Sequence, residues 1–230
     1  MSVELDHLVI ASATLDEGVA WCETTLGVTP GLGGKHPLMG THNRLLKIAT
    51  PVFPNAYLEI IAIDPAAPPP SRTRWFGLDT PELQAQLRSG PRLIHAVART
   101  TNLDMHRWGL ITLGLQPGEP VSASRETPTG VLAWQILVRR DGQLECQGAL
   151  PTLIQWSGQH PAQSMPESGI TLESLTLRGL PERVQALLRL KGVQMESPLP
   201  AQPPPELGEL ASDTAVVTVK LNTPRGTLNL

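Results

Sequence analysis

Leu5-Asp6-His7-Leu8-Val9-Ile10 and Leu93-Ile94-His95-Ala96-Val97-Ala98 are two versions of one apolar strand with a histidine at its third position. The match extends outward from both. Leu15-Asp16 is answered by Leu103-Asp104, Leu26-Gly27 by Leu113-Gly114, and Pro30-Gly31 by Pro117-Gly118. The offset is 88 from His7 to His95 and 87 from Pro30 to Pro117, so one residue is lost within or just after a helix. Self-similarity over such a length marks a duplicated structural unit and constrains every later inference.

Local chemistry supports a strand followed by a helix in each copy. Thr14-Leu15-Asp16-Glu17 carries the Thr-x-x-Glu capping pattern, Leu15, Val19, Cys22 and Leu26 recur at helical spacing, and Gly27 supplies a left-handed stop. In the second copy Asn102 offers the cap and Gly114 the stop. Arg44–Ile48 and Tyr57–Ile63 then read as strands in the first unit, Val131–Arg139 and Pro151–Trp156 in the second. A third, shortened copy opens with Leu172–Leu177. It continues with a helix over Pro181–Lys191, stopped at Gly192, and a hairpin around Pro224-Arg225-Gly226. Prolines concentrate at Pro65–Pro70, around Pro161 and Pro166, and at Pro198–Pro205. These cut the chain into a first unit (1–64), a proline-rich linker (65–89), a second unit (90–162) and the shortened unit (168–230).

Composition narrows the function classes. The 230 residues are 40% hydrophobic and 17% charged with a net charge of −3, which fits a folded chain and excludes disorder as the dominant state. Only 18 Lys and Arg give no electrostatic footprint for nucleic acid or an anionic membrane. No apolar run is long enough to span a bilayer and the N-terminus has no signal-peptide pattern, so a cytoplasmic protein is expected. Cys22 and Cys146 are too few for a disulfide framework or zinc cluster and read as reduced thiols.

The chemistry lies in polar residues set into apolar strands. In a regular strand alternate side chains share a face, so Leu5, His7 and Val9 point one way, and Asp6, Leu8 and Ile10 the other. Glu59 sits in Tyr57–Ile63, apolar on both faces, where an unpaired carboxylate is costly. The second unit places His95 between Leu93 and Val97, and Gln155 within Leu153-Ile154-Gln155-Trp156. If the units pair about a pseudo-two-fold axis, His7, Glu59, His95 and Gln155 converge in a cup and suit a divalent metal. The alternative is that both histidines are satisfied in the core and Glu59 pairs with an arginine such as Arg44.

The paired His7 and His95 strands, Asp6-His7, Gly40-Thr41-His42-Asn43, Tyr57-Leu58-Glu59-Ile60, Arg74-Trp75-Phe76-Gly77-Leu78 and Pro224-Arg225-Gly226 together resemble the glyoxalase-like branch of the vicinal oxygen chelate superfamily. The resemblance implies an α+β fold whose tandem βαβββ modules form a curved, cup-like mixed sheet, with the truncated βαββ module appended. It also implies a divalent ion (Zn, Ni, Mn or Fe) held by His7, Glu59, His95 and Gln155. Related second units generally have glutamate where Gln155 stands. Because glutamine cannot accept a proton, Glu59 becomes the candidate base of a lyase or isomerase acting on a small carbonyl compound. A metal-free binding protein of the bleomycin-resistance kind and a ring-cleaving dioxygenase are the alternatives. His42 and Asn43 are candidate donors to the substrate or a turn-forming pair, and Trp75 a lid or a packing residue. His36, His106 and His160 are expected to be solvated, and Trp134 and Trp156 to be core. Ser174 and Asn229 replace His7 and Glu59 in the third copy, which is therefore architectural. Such cups form within one chain or across a homodimer.

Overall fold

The computed structural model describes residues 3–127, 130–198 and 216–230, so the proline-rich stretch Pro198–Pro205 lies almost wholly outside the described residues. β1 (Glu4–Ala11) leads into α1 (Leu15–Trp21), which continues through a π-helical turn (Cys22–Leu26) to β2 (Gly31–His36), β3 (Thr41–Lys47) and β4 (Tyr57–Ile63). The linker holds a 3-10 turn (Trp75–Gly77) and α2 (Pro81–Leu87). The second unit repeats the first as β5 (Arg92–Arg99), α3 (Leu103–Thr112), β6 (Glu119–Thr127), β7 (Gly130–Val138) and β8 (Thr152–Ser157). The expected caps are in place: the Thr14 hydroxyl accepts from the Glu17 N–H at 3.2 Å, and Asn102 Oδ1 accepts from the Met105 N–H at 3.1 Å.

Two strands escaped the sequence pattern. β2 contains Gly31, Gly33 and Gly34, residues poorly suited to strands, and β6 alternates polar residues with nothing larger than Val121 and Ala123 on its apolar side. Both are edge strands. The eight strands form one mixed sheet in the order β2-β3-β4-β1-β5-β8-β7-β6. β1 and β5 run antiparallel at its centre, and each is parallel to the last strand of its own unit, which places a pseudo-two-fold axis between them. The sheet curls until β2 and β6 approach one another, leaving a nearly closed cup.

The two faces of the sheet carry different cores. Leu8, Ile10, Leu58, Ile60, Ala96, Ala98 and Leu153 face the helices, while Val9, Ile61, Val97, Trp134, Ile136 and Ile154 face the cup. The C-terminal chain forms β9 (Thr171–Arg178), α4 (Glu182–Leu188), β10 (Gln194–Glu196), β11 (Val217–Thr223) and β12 (Gly226–Asn229), a separate sheet in the order β10-β9-β11-β12. Leu172, Leu175, Leu177, Val184, Leu188 and Leu221 from this sheet and its helix join the helix-side core. α4 stops at Leu188, short of the expected Lys191, because Arg189 turns left-handed (φ 47°) and the chain buries Leu188 and Leu190 on either side of it.

Gly18 marks the contact between α1 and β4. A Cβ there would lie 2.4 Å from Ile60 Cγ2 and 2.7 Å from Ser12 Oγ, so even a methyl group must displace the sheet. Gly18→Ala is expected to destabilise the fold by about 1–3 kcal/mol, against the modest gain an alanine gives an open helix. Urea unfolding monitored by tryptophan fluorescence measures the difference.

Candidate functional site

A β-bulge builds the floor of the cup. In the β1–β5 pairing Leu5 faces Ala98 and His7 faces Val97, so Asp6 is an extra residue that breaks the alternation. Leu5 consequently joins the helix-side core, and Asp6 and His7 come to lie together instead of on opposite faces. The expected shared face of Leu5 and His7 is corrected by this bulge, which no hydrophobic pattern signals.

Asp6 is fully buried and accepts three hydrogen bonds, from His7 Nδ1 at 2.7 Å, His160 Nε2 at 2.9 Å and Trp156 Nε1 at 2.8 Å. Burial alone would raise its pKa, but the bonds from His160 and His7 outweigh that and hold the carboxyl well below the usual range. His7 Nε2 stands 3.5 Å from Glu59 Oε2, and Asn43 Nδ2 donates to Glu59 Oε1 at 2.6 Å. Burial opposes charge on His7, yet the hydrogen bonds to Asp6 and Glu59 lift its pKa to about 9. Burial likewise pushes Glu59 up, and His7 pulls it down below its ordinary value. The floor is therefore an Asp6–His7–Glu59 chain of alternating charge, with Tyr57 stacked on the His7 ring at 4.7 Å.

His36 stands beside this chain. Its Nδ1 bonds the Thr41 hydroxyl at 3.1 Å, and burial, helped by the charges of Arg125 and His7 against that of Glu59, lowers its pKa to about 4. His36, His106 and His160 are all buried, where solvated side chains were expected. His160 caps a short turn (Pro161–Gln163) while reaching Asp6, and His106 Nδ1 is bonded within α3. Gly33 and Gly34 make room for the Asn43 side chain: Asn43 Oδ1 accepts from the Gly34 N–H at 2.8 Å, and a Cβ on Gly33 would meet that oxygen at 2.2 Å.

The other expected ligands do not join this floor. His95 is fully buried and its Nε2 accepts from the Thr152 backbone N–H at 3.1 Å, with the Thr152 hydroxyl 3.0 Å away. Burial, with the nearby charge of His7, lowers its pKa to about 3, so it is a neutral imidazole whose Nε2 lone pair is already used. Gln155 is on the helix side, where its Oε1 accepts from the Leu103 N–H at 2.8 Å at the start of α3. The register explains this: Val9 pairs with Glu59, and Val97, its repeat partner, pairs with Thr152. Thr152 thus holds the place of Glu59 in the second unit. His42 pairs with Ala62 and Arg44 with Ile60, away from the cup, so Arg44 is not the partner of Glu59.

A metal ion needs several free lone pairs converging on one point. Among the described residues no group of three or more His, Cys, Asp or Glu side chains is so arranged. The commitments of His95 to Thr152 and of Gln155 to α3 give the reason, and the donor set does not fit a four-ligand ion. Trp75 and Phe76, stacked at 5.5 Å, enter the cup from the linker, and Phe76 lies against the His95 ring at 5.5 Å. They leave about 30 Å³ above the floor, room for one or two waters. Outside it, a groove of about 560 Å³ shares His36, Trp75 and Trp134 with the inner space.

Two predictions follow from the buried charges. Asp6→Ala strands three donors and is expected to cost about 3–5 kcal/mol, read by chemical denaturation. His7, with its pKa raised from 6.5 to about 9, gives stability that is complete below pH 6.5 and lost as pH rises through 9. His36 and His95, lowered from 6.5 to about 4 and 3, give stability present above pH 6.5 and lost as pH falls toward those values. The melting temperature should peak near pH 6.5 and decline on both sides, and His7→Gln should flatten the alkaline limb and, by removing a charge that helps lower His36 and His95, also soften the acid limb.

Comparison with known proteins agrees with the fold. A hypothetical protein from Staphylococcus aureus is similar in structure, with a TM-score of 0.55 at 17% identity, over 77% of this chain and 70% of that one. A variant of Streptomyces coelicolor methylmalonyl-CoA epimerase, in complex with 2-nitronate-propionyl-CoA, aligns with 68% of this chain and 96% of its own at 18% identity and a TM-score of 0.43. Methylmalonyl-CoA epimerase from Mycobacterium tuberculosis aligns with 70% and 91% at 17% identity and 0.35. No curated protein sequence matches the chain. No helix among the described residues is long and apolar enough to cross a membrane. The glyoxalase-like domain family matches residues 5–191, spanning both βαβββ units and the start of the C-terminal one, and the chain belongs to that family.

Proposed function

We propose that this protein binds a small molecule in the mouth of its cup, with the His7–Glu59 pair and Asn43 as the polar floor and aromatic side chains as walls. The observation that carries this reading is the state of the floor. Glu59 is an ionised carboxylate already bonded to Asn43 and facing a protonated His7, an arrangement that accepts or orders a polar ligand group without further ionisation. Trp134, Trp156 and Tyr57 surround it with flat apolar surface.

The metal-dependent lyase or isomerase reading, with Glu59 as base, asks more of these residues. His95 would have to release Thr152, and Gln155 would have to leave the helix side of the sheet. A carboxylate held below its ordinary pKa is also a weak base for a proton beside a carbonyl. A ring-cleaving dioxygenase, which needs an ion on His7, His95 and Glu59, meets the same obstacle at His95.

The test is a titration of chelator-treated protein with pyruvate, phenylpyruvate, phenylacetate and catechol, followed by quenching of tryptophan fluorescence. At least one compound is expected to bind saturably without added metal, with an affinity changed by about tenfold or more in Glu59→Ala, about 1.4 kcal/mol. Binding or turnover that requires a stoichiometric Zn, Ni, Mn or Fe ion and disappears in His95→Ala would replace this reading with the metal-dependent enzyme.

A further inference from the structure

Resting on that reading, we infer that the ligand is an anion, a carboxylate with a flat apolar body, and that Arg125 is the residue that selects it. Arg125 lies on β6, on the same face as Val121 and Ala123, which pack against the cup-side core. Its side chain lines the inner space together with His7, Asn43 and Glu59. It is only partly buried, and no ion pair or hydrogen bond holds the guanidinium among the described residues. Three other half-buried arginines differ in this respect: Arg74 is bound to Asp79, Arg99 to Glu4, and Arg139 to Asp141 and Glu145. A guanidinium without a partner at the rim of an aromatic pocket presents a planar fork of donors suited to a carboxylate.

The seam of the cup keeps it there. β2 and β6 are the two ends of the sheet and approach each other across the opening. Arg125 crosses that seam above Gly34 of β2, where a Cβ would lie 2.5 Å from Nη1 and 3.0 Å from Cδ. Gly34 thus gives the arginine its path into the cup. Ala123, two residues back along β6 and so about 7 Å away, lines the outer groove with Leu38, Met39 and Trp134. A carboxylate on Arg125 therefore leaves its apolar body pointed along the groove, past the shared wall of His36 and Trp75.

Phenylacetate and phenylacetamide, isosteres that differ in charge, test the inference by calorimetric titration of the whole protein. Phenylacetate is expected to bind at least about tenfold more tightly. Arg125→Met should bring the ratio close to one, chiefly through loss of affinity for phenylacetate. Gly34→Ala, which keeps the charge but pushes the guanidinium aside, should reduce the ratio in the same direction. Its strain falls on the arginine's flexible end, so it remains informative if Arg125→Met fails to fold. Equal binding of both compounds, or a ratio unchanged in the variants, overturns the role of Arg125 and leaves the small-molecule cup standing. No saturable binding of either compound also overturns the inference, whereas the small-molecule cup falls only if pyruvate, phenylpyruvate and catechol fail to bind as well.

Discussion

The Asp6 carboxylate holds three hydrogen-bond donors inside a dry interior, and the geometry of the cup depends on that arrangement. One donor, His7, belongs to the same strand. The others, Trp156 and His160, come from the end of the second unit, about 150 residues along the chain. The bond to Trp156 therefore closes the pseudo-two-fold pairing chemically, in addition to the β1–β5 ladder. The Asp6 carboxylate also orients the His7 ring: with Nδ1 turned to Asp6, Nε2 faces Glu59. A buried carboxylate with three satisfied donors is stable only as a complete set, so loss of one member is felt by all.

Asymmetry between the copies follows from one position. The first unit has Glu59 opposite Val9, and the second has Thr152 opposite Val97. With a carboxylate available, His7 becomes a cation in an ion-pair chain. With only a hydroxyl and a backbone N–H available, His95 stays neutral and is absorbed into the fold beneath Phe76. The duplication supplies a symmetric scaffold, and the charged chemistry has been kept on one side of it.

The fold was legible because its signals are local and repeated: capped helices ended by Gly27 and Gly114, and two apolar strands with histidine in the same place. Counting along strands served less well. Gln155 was matched to Glu59 as the polar residue inside the last apolar strand of its unit, whereas register assigns that place to Thr152, and the three-residue difference moves the side chain to the opposite face. The Asp6 bulge has no hydrophobic signature, because an inserted residue leaves the composition of the strand unchanged. His160 was misplaced for a related reason. A histidine between Gln159 and Pro161 reads as a loop residue, and only the closure of the two units brings the buried acid to it. Even so, Asp6-His7 inside an apolar strand was itself a signal, since a buried carboxylate requires donors from elsewhere in the chain.

The linker completes the cup in a way its composition concealed. Prolines at 65–70 suggested an extended tether, but the chain then turns inward and inserts Trp75 and Phe76 between the floor and the groove. Phe76 does so with a left-handed backbone (φ 57°), a conformation that costs a bulky residue about 1–3 kcal/mol and persists only where packing compensates. The compensation is visible in its stacking on Trp75 and its contact with His95. The second histidine, withdrawn from charge chemistry by Thr152, thus becomes the seat on which the plug rests. The residue that removes His95 from the ligand set is also the one that lets the linker narrow the cup above the remaining ion pair.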